Sequence, residues 1–307
     1  MKTAVLGAGI IGASWASLFL AAGHEVHVYD LSDHTRSFVS NYIRKAWPFL
    51  QALNLAPEGE PPQATFHSHP ESAASEAGFI QESVPERLNV KLELFRRIEP
   101  HLGRGTIIAS STSGLLLGEM QQGFEDPSRL ILGHPFNPPH LIPLVELLGN
   151  ERTADGVLAE AESFYQSCGK VTIRVRKEVP GHVANRLQAA LWREAISLVM
   201  EGVASVEDVD RAVSSGPGLR WALMGPHMLF SLASGGLGME GFIERYGDSI
   251  GRWWKTMGQP TLSPETSRIL ADGIEAEAAG RTFEQLADER DRKLIVVIKA
   301  LSKTVGA

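Results

Sequence analysis

Cysteine is almost missing from this chain: Cys168 is the only one in 307 residues. A single thiol cannot close an intramolecular disulfide or build a thiolate metal cluster, so the sequence is expected to belong to a reducing compartment, the cytoplasm, and to carry no metal centre. Positive charge is also scarce. With 29 Lys and Arg against 36 Asp and Glu, the formal net charge is −7, and the charges are spread along the chain without a basic stripe. A phosphate backbone or an anionic bilayer finds nothing to grip, which argues against nucleic acid and membrane as partners. Long hydrophobic runs are lacking too. The apolar stretch from Ala4 to Ala22 is broken by Gly7, Gly9, Gly12, Ser14 and Ser17 and is preceded by no basic residue but Lys2, so neither a membrane span nor a secretion signal is expected from it. Repeats of fixed period are not visible, and the one Pro-rich stretch is Ala56 to Pro62, which argues against solenoids and disordered linkers.

What is present is enough chain for two cores, since the length is about twice that of a usual domain. The first half alternates short β-rich runs with longer helical patterns, the mark of parallel βαβ units. Strands are expected at Thr3 to Leu6, Glu25 to Tyr29, Ala64 to His67, Phe79 to Glu82, Thr106 to Ala109, Leu130 to Gly133, Leu144 to Leu148 and Val171 to Val175. Asp33 to Leu55 is a helical stretch too long for a minimal crossover, and is expected to project as a helical hairpin. After Val175 the β pattern ends. From Gly181 to Met200 apolar residues recur at helical spacing (Val183, Leu187, Ala190, Leu191, Ile196, Val199). Further helices are expected near Val206 to Ser214, Met224 to Ala233, Gly238 to Arg245, Ser249 to Met257, Pro264 to Ala279 and Thr282 to Ser302. The fold class is therefore α/β: a Rossmann-type doubly wound sheet over residues 1–178, then an all-helical domain over 179–307 for substrate and dimerisation, with Pro180-Gly181 at the junction.

Directly after the first strand stands Gly7-Ala8-Gly9-Ile10-Ile11-Gly12, opening a helix. The first glycine allows the tight turn, the second lets the backbone approach a pyrophosphate, and the third brings helix and strand close. The helix N-terminus attracts the anion. Asp30 ends the second strand 18 residues after Gly12, where a carboxylate accepts hydrogen bonds from ribose hydroxyls and repels a 2′-phosphate. NAD is thus expected in preference to NADP; the alternative is a Rossmann-like fold without a dinucleotide.

Four further polar residues are candidates for chemistry. Oxidising an alcohol with a nicotinamide needs a base for the hydroxyl proton, and imidazole titrates near neutral pH. His134 is expected just past a strand, opening the rigid loop His134-Pro135-Phe136-Asn137-Pro138-Pro139 at a carboxyl end, where open α/β sheets place ligands. Glu146, in the next strand, could hold one imidazole nitrogen as a triad carboxylate does. Ser113, in Ser110-Ser111-Thr112-Ser113-Gly114, could bind the substrate oxygen, and the Asn185 amide could polarise it. Each has a plainer reading, as a structural histidine, a solvated glutamate, a turn serine or a cap asparagine.

From Lys2 to about Met257 the sequence resembles the 3-hydroxyacyl-CoA dehydrogenase family. The resemblance is carried, in order, by Gly7-x-Gly9-x-x-Gly12, Glu82-Ser83-Val84-Pro85-Glu86 followed by Lys91, Ser110 to Gly114, His134 to Pro138, Val145-Glu146, and Pro180-Gly181-x-x-x-Asn185-Arg186. It implies that His134 and Glu146 are the catalytic pair, that Ser113 and Asn185 contact the reacting oxygen, and that Glu86 and Lys91 lie near the nicotinamide end of the cofactor.

Within the family, the coenzyme A enzymes carry a lysine-rich helical extension after the second strand. Here Tyr42 to Pro62 offers Arg44 and Lys45 beside Glu58, Glu60 and several prolines. Gly218-Leu219-Arg220-Trp221-Ala222-Leu223-Met224-Gly225-Pro226, Gly238-Met239 and Trp253-Trp254 look more like the relatives acting on free acids, the carnitine dehydrogenases and the gulonate 3-dehydrogenase or lambda-crystallin group. Arg220 could grip a free carboxylate with two hydrogen bonds, or could be an interface arginine. Trp221, Phe230, Trp253 and Trp254 offer aromatic faces to a quaternary ammonium, or belong to core and dimer contacts. Three functions stay open: a dehydrogenase of a small free 3-hydroxy acid, a 3-hydroxyacyl-CoA dehydrogenase of fatty-acid metabolism, and a non-catalytic NAD-binding protein of the crystallin kind. A hydroxyisobutyrate-type dehydrogenase would need a lysine at the start of the second domain, and none occurs from Glu178 to Trp254. A homodimer is expected from the mixed Trp, Met and Phe content of the later helices.

Overall fold

The run Lys2–Leu6 forms β1, and Thr3 to Leu6 are buried, as a strand covered on both faces requires. It is an interior strand, third from one edge, of an eight-stranded sheet with β2 (Glu25–Tyr29), β3 (Thr65–His67), β4 (Phe79–Glu82), β5 (Ile107–Ser110), β6 (Leu130–Pro135), β7 (Leu144–Leu148) and β8 (Val171–Arg174). The order is β3-β2-β1-β4-β5-β6-β7-β8. All eight expected strands are present. The computed structural model describes residues 1–32 and 34–304; Asp33, where the expected hairpin began, and the last three residues of the expected helical domain lie outside the described residues.

Two expectations about this sheet are corrected. The units are not all parallel, because β7 runs antiparallel to β6 while every other neighbouring pair is parallel. Only Phe136 to Pro143 join these two strands, and eight residues cannot make the crossover of a dozen or more that a parallel return needs. His134 is moved with them: it does not follow the strand but lies within β6.

The connecting helices are α1 (Ile10–Ala21), α2 (Thr35–Ala52), α3 (Pro70–Ala74), α4 (Leu88–Ile98), α5 (Leu117–Met120) and α6 (Val157–Ser167). Apolar residues of α1, α2 and α6 (Trp15, Phe19, Ile43, Trp47, Phe164, Tyr165) share one core with Phe79 and Ile131 of the sheet. Those of α3, α4 and α5 (Ala73, Phe95, Ile98, Leu117) form a second core with Ile80 and Leu132. Adjacent strand residues thus serve opposite faces, which makes the sheet doubly wound. Phe79 stacks on Phe164 with ring centroids 3.8 Å apart, and full burial of one such ring is worth about 2 kcal/mol. The stretch after β2 is not a projecting hairpin. It is one helix, α2, whose Val39, Ile43, Ala46, Trp47 and Leu50 fall on one face and are buried, and burying that stripe holds it on the domain.

The chain divides into two compact units, Met1–Ala184 with Asp291–Ala300, and a second whose main part is Asn185–Arg290. After β8 the described residues form helices only: α7 (Ala184–Met200), α8 (Val206–Ser215), α9 (Pro217–Trp221), α10 (Pro226–Leu232), α11 (Gly238–Trp254), α12 (Pro264–Ala278) and α13 (Phe283–Thr304). The helices expected at Gly238 to Arg245 and Ser249 to Met257 are a single one, α11. Its Gly247 and Gly251 cost helix propensity without supplying a stop, and Phe242 is buried against Phe230 with rings 5.0 Å apart. The short α9 was not expected; Pro217 at its first position needs no amide donor. Among the described residues no helix is long and apolar enough to cross a membrane.

Candidate active site

The strand order reverses at β1, between β2 and β4, and crevices at such a switch point receive ligands in open α/β sheets. The glycine loop stands there. Gly7 has φ +89, and a Cβ on it would lie 2.4 Å from the Val84 amide nitrogen; a Cβ on Gly12 would lie 1.9 Å from the Gly7 carbonyl oxygen. Both positions are closed to any side chain. At Gly9 a Cβ would meet no atom within 4 Å, so backbone alone faces open space at the start of α1. Among the described residues no side chain caps this helix, and its first turn carries no acid, which leaves the amides of Ile10, Ile11 and Gly12 for an anion. Asp30 takes the Ala8 amide on one carboxylate oxygen at 2.7 Å and the Ser32 amide on the other at 3.0 Å. A cavity of about 370 Å³ lined by Gly7, Asp30, Leu31, Val84, Pro85 and Arg97 opens beside it. An open backbone, free amides and a fixed carboxylate fit a dinucleotide's pyrophosphate and ribose.

The antiparallel register of β6 and β7 sets His134 opposite Glu146. Directly opposed residues project to the same face with Cβ atoms about 5 Å apart, so an imidazole and a carboxylate meet there without distortion. Nδ1 of His134 lies 2.8 Å from Oε2 of Glu146. As a carboxylate only accepts, that nitrogen carries the hydrogen, and in the neutral ring Nε2 keeps its lone pair. His134 is 4 % exposed and Glu146 fully buried. Burial works to raise the pKa of Glu146, but the His134 bond and the amides of Ala184 and Val183, at 3.0 and 2.9 Å from Oε1, outweigh it and hold the carboxyl below its ordinary value. The turn between β6 and β7 is pinned by Lys170, whose ammonium donates to the Pro139 and Ile142 carbonyls above the Trp15 ring; burial pushes its pKa down to about 7.

A second polar network stands at the ends of β4 and β5. Glu82, fully buried, accepts from Lys91 at 2.7 Å and from the Ser110 hydroxyl at 2.5 Å. Lys91 also faces Glu86 at 3.6 Å. Glu86 in turn accepts the Thr112 hydroxyl and the amides of Ser113 and Gly114, both at 2.9 Å. Its burial is opposed by these donors and by Lys91, which together hold its pKa below the usual value. Lys91 is 1 % exposed, so its ammonium is committed to carboxylates and shapes the Ser110 to Gly114 turn that leaves Ser113 exposed.

The structure thus joins His134 to Glu146 and ties Ser113, Glu86 and Lys91 into one network within the first unit. Asn185, in the first turn of α7, and Arg220, exposed near the end of α9, belong to the second unit. Trp253 and Trp254 are consecutive on α11 and point about 100° apart, so they do not face one ligand together. One group was missed from the sequence. His182, a variable position inside Pro180-Gly181-x-x-x-Asn185, is buried with its ring centroid 5.0 Å from that of His134. No spacing marks it, because only the tertiary fold brings it there.

Residues 2–179 match the 3-hydroxyacyl-CoA dehydrogenase NAD binding domain, and residues 181–269 the C-terminal domain of the same family. An L-carnitine dehydrogenase of Streptomyces coelicolor is 43% identical over 98% of this chain and 95% of its own length. One of Bacillus cereus is 39% identical over 98% and 93%. Among solved structures, the chain is similar to 5-formyl-3-hydroxy-2-methylpyridine 4-carboxylic acid 5-dehydrogenase, an NAD-dependent dismutase, with TM-score 0.83 and 31% identity over 98% of both chains. It is also similar to FadB2 of M. tuberculosis, with TM-score 0.66 and 27% identity over 89% of this chain and 94% of that one.

Proposed function

Since the chain belongs to the 3-hydroxyacyl-CoA dehydrogenase family, and is an NAD-dependent oxidoreductase acting on CH–OH groups, we propose that it oxidises the 3-hydroxyl of a small free L-3-hydroxy acid, carnitine first among them. The observation that carries the reading is the buried His134–Glu146 pair, with Nδ1 held by the carboxylate and Nε2 left as a base. His134 takes the hydroxyl proton on Nε2, and Glu146 balances the imidazolium that results. Bound NAD supplies the hydride acceptor. The Gly7 to Gly12 loop, with the amides of Ile10 and Ile11, holds its pyrophosphate and Asp30 its ribose, while Glu86 and Lys91 shape the turn at the nicotinamide end. Ser113 and Asn185 hold the reacting oxygen, and Arg220 takes the substrate carboxylate. Residues 1–178 serve the cofactor and 179–307 the substrate and a second copy of the chain. The free-acid branch is supported by identities of 39% and 43% to carnitine dehydrogenases over nearly the full chain.

The test is NADH absorbance with carnitine, gulonate, 3-hydroxybutyrate and 3-hydroxybutyryl-CoA. Carnitine is expected to turn over fastest, and Arg220→Met to raise its KM by about 10- to 100-fold, as loss of a charge-assisted pair worth about 1.5–3 kcal/mol implies. Preference for the thioester moves the protein to the acyl-CoA branch, and NAD binding without turnover of any acid favours the crystallin-like reading. Exposed Leu187, Trp192, Leu223, Trp253 and Trp254 of the second unit support a homodimer; a monomer by light scattering at micromolar concentration would overturn it.

A further inference from the structure

His182 occupies a conformation that disfavours it. It follows Gly181, at φ +76, with φ +47 of its own. Glycine accepts the left-handed region freely, whereas a histidine pays with its Cβ. The strained backbone brings the ring inside, where it is 2 % exposed. There Nε2 lies 3.2 Å from the Thr112 carbonyl oxygen, and the ring lies beside that of His134 with centroids 5.0 Å apart and planes tilted by 53°. A carbonyl only accepts, so Nε2 carries the hydrogen and Nδ1 keeps a lone pair. Among the described residues that buried Nδ1 has no hydrogen-bond partner. An unpaired buried acceptor and a strained backbone both oppose folding, and strain concentrates where a site needs a fixed geometry.

The neighbours of His182 show what the geometry holds. Val183 and Ala184 place their amides on Glu146, so one side of the segment is anchored on the catalytic pair. The other side reaches Thr112, which with Ser113 is fixed by Glu86. His182 is the link between the two. We propose that His182 is a positioning residue for the dehydrogenase reaction, a strut that sets the spacing between the Thr112–Ser113 turn and the His134–Glu146 pair, so that the Ser113 hydroxyl and the His134 base act on the same substrate oxygen. Burial, and then the nearness of His134, hold the ring's pKa below the usual imidazole value against the pull of the Thr112 carbonyl. A neutral strut does not repel the positive charge that His134 gains in each turnover.

This inference rests on the reading of His134 as the base, and two variants test it. His182→Phe keeps the aromatic bulk and removes both nitrogens; His182→Gln keeps an amide N–H that can reach the Thr112 carbonyl. With the acid that the wild-type enzyme oxidises, His182→Phe is expected to lower kcat by about tenfold or more with KM for NAD within about twofold of wild type, and His182→Gln to recover part of the loss. A kcat for His182→Phe within twofold of wild type, or no recovery in His182→Gln, overturns the strut while leaving the proposed function intact. If no acid is turned over by the wild-type enzyme, the functional reading fails and the strut is decided on the protein alone by hydrogen exchange. The Ser113 and Gly114 amides are then expected to exchange faster in His182→Phe and near the wild-type rate in His182→Gln; equal rates in all three proteins overturn it.

Discussion

Replacing His134 with glutamine is expected to lower kcat by roughly a thousandfold or more, with the dissociation constant for NAD within a fewfold of wild type. An amide of similar size fills the site but offers no basic lone pair, so the hydroxyl proton has nowhere to go as the carbonyl forms. Glu146→Gln is expected to approach the same loss with the histidine still present. Glutamine cannot accept Nδ1–H with a full negative charge, and its NH₂ competes for that position, so the tautomer that leaves Nε2 basic is no longer held. The pair also has a pH signature. Because the folded pKa of Glu146 lies below the ordinary carboxyl value of 4.5, its ionised form stabilises the fold above that pH, and the contribution is lost as pH falls through the lower, folded value. Denaturant unfolding from pH 7 to pH 3 should therefore fall less steeply in Glu146→Gln than in wild type. Steady-state rates with isothermal titration of NAD check the first part, and activity of His134→Gln within tenfold of wild type would sink the mechanism.

The second large effect concerns the cofactor loop. Gly12→Ala would place a methyl carbon 1.9 Å from the Gly7 carbonyl oxygen, a collision of backbone with side chain that no rotamer relieves. Moving the helix off the strand is the only escape. A loss of about 3 kcal/mol of stability is expected, together with a fall in NAD affinity of a hundredfold or more. Gly9→Ala is the control that separates space from fold. Its Cβ meets nothing within 4 Å, so the protein should unfold at the wild-type denaturant concentration while binding NAD far more weakly, because the methyl stands where the pyrophosphate approaches. Equal NAD affinity in Gly9→Ala and wild type would contradict the placement of the dinucleotide.

Much of this was legible in the residues, and the reasons differ from feature to feature. The eight strands and the glycine loop could be read because their signals span a few neighbouring positions: apolar runs bounded by turns, and three glycines whose spacing is the shape of one turn. The Asp30 carboxylate followed from the same short range. His134 and Glu146 were paired because they fall on successive strands, and the family resemblance implies the same pair; nothing in either residue's own neighbourhood fixes their register. Their meeting depends on the reversal of β7, and that reversal was encoded in an eight-residue connection too short for any other return.

Tertiary structure decided the rest. Whether the stretch after β2 stands out or lies flat depended on where the stripe from Val39 to Leu50 found a partner, and α1 with the sheet supplied it. The resemblance implies that Lys91 lies near the nicotinamide end, and the fold surrounds its ammonium with three acceptors, Glu82, Val84 and Glu86. His182 stood at a position without a pattern until the chain bent through two left-handed residues and set its ring on that of His134. Local geometry is written in adjacent residues because the backbone has few torsions to satisfy. The sequence by itself therefore determined which strands form and the shape of the glycine turn, while the pairing of groups tens of residues apart was settled only by the fold, since burial and hydrogen bonding there depend on which surfaces meet.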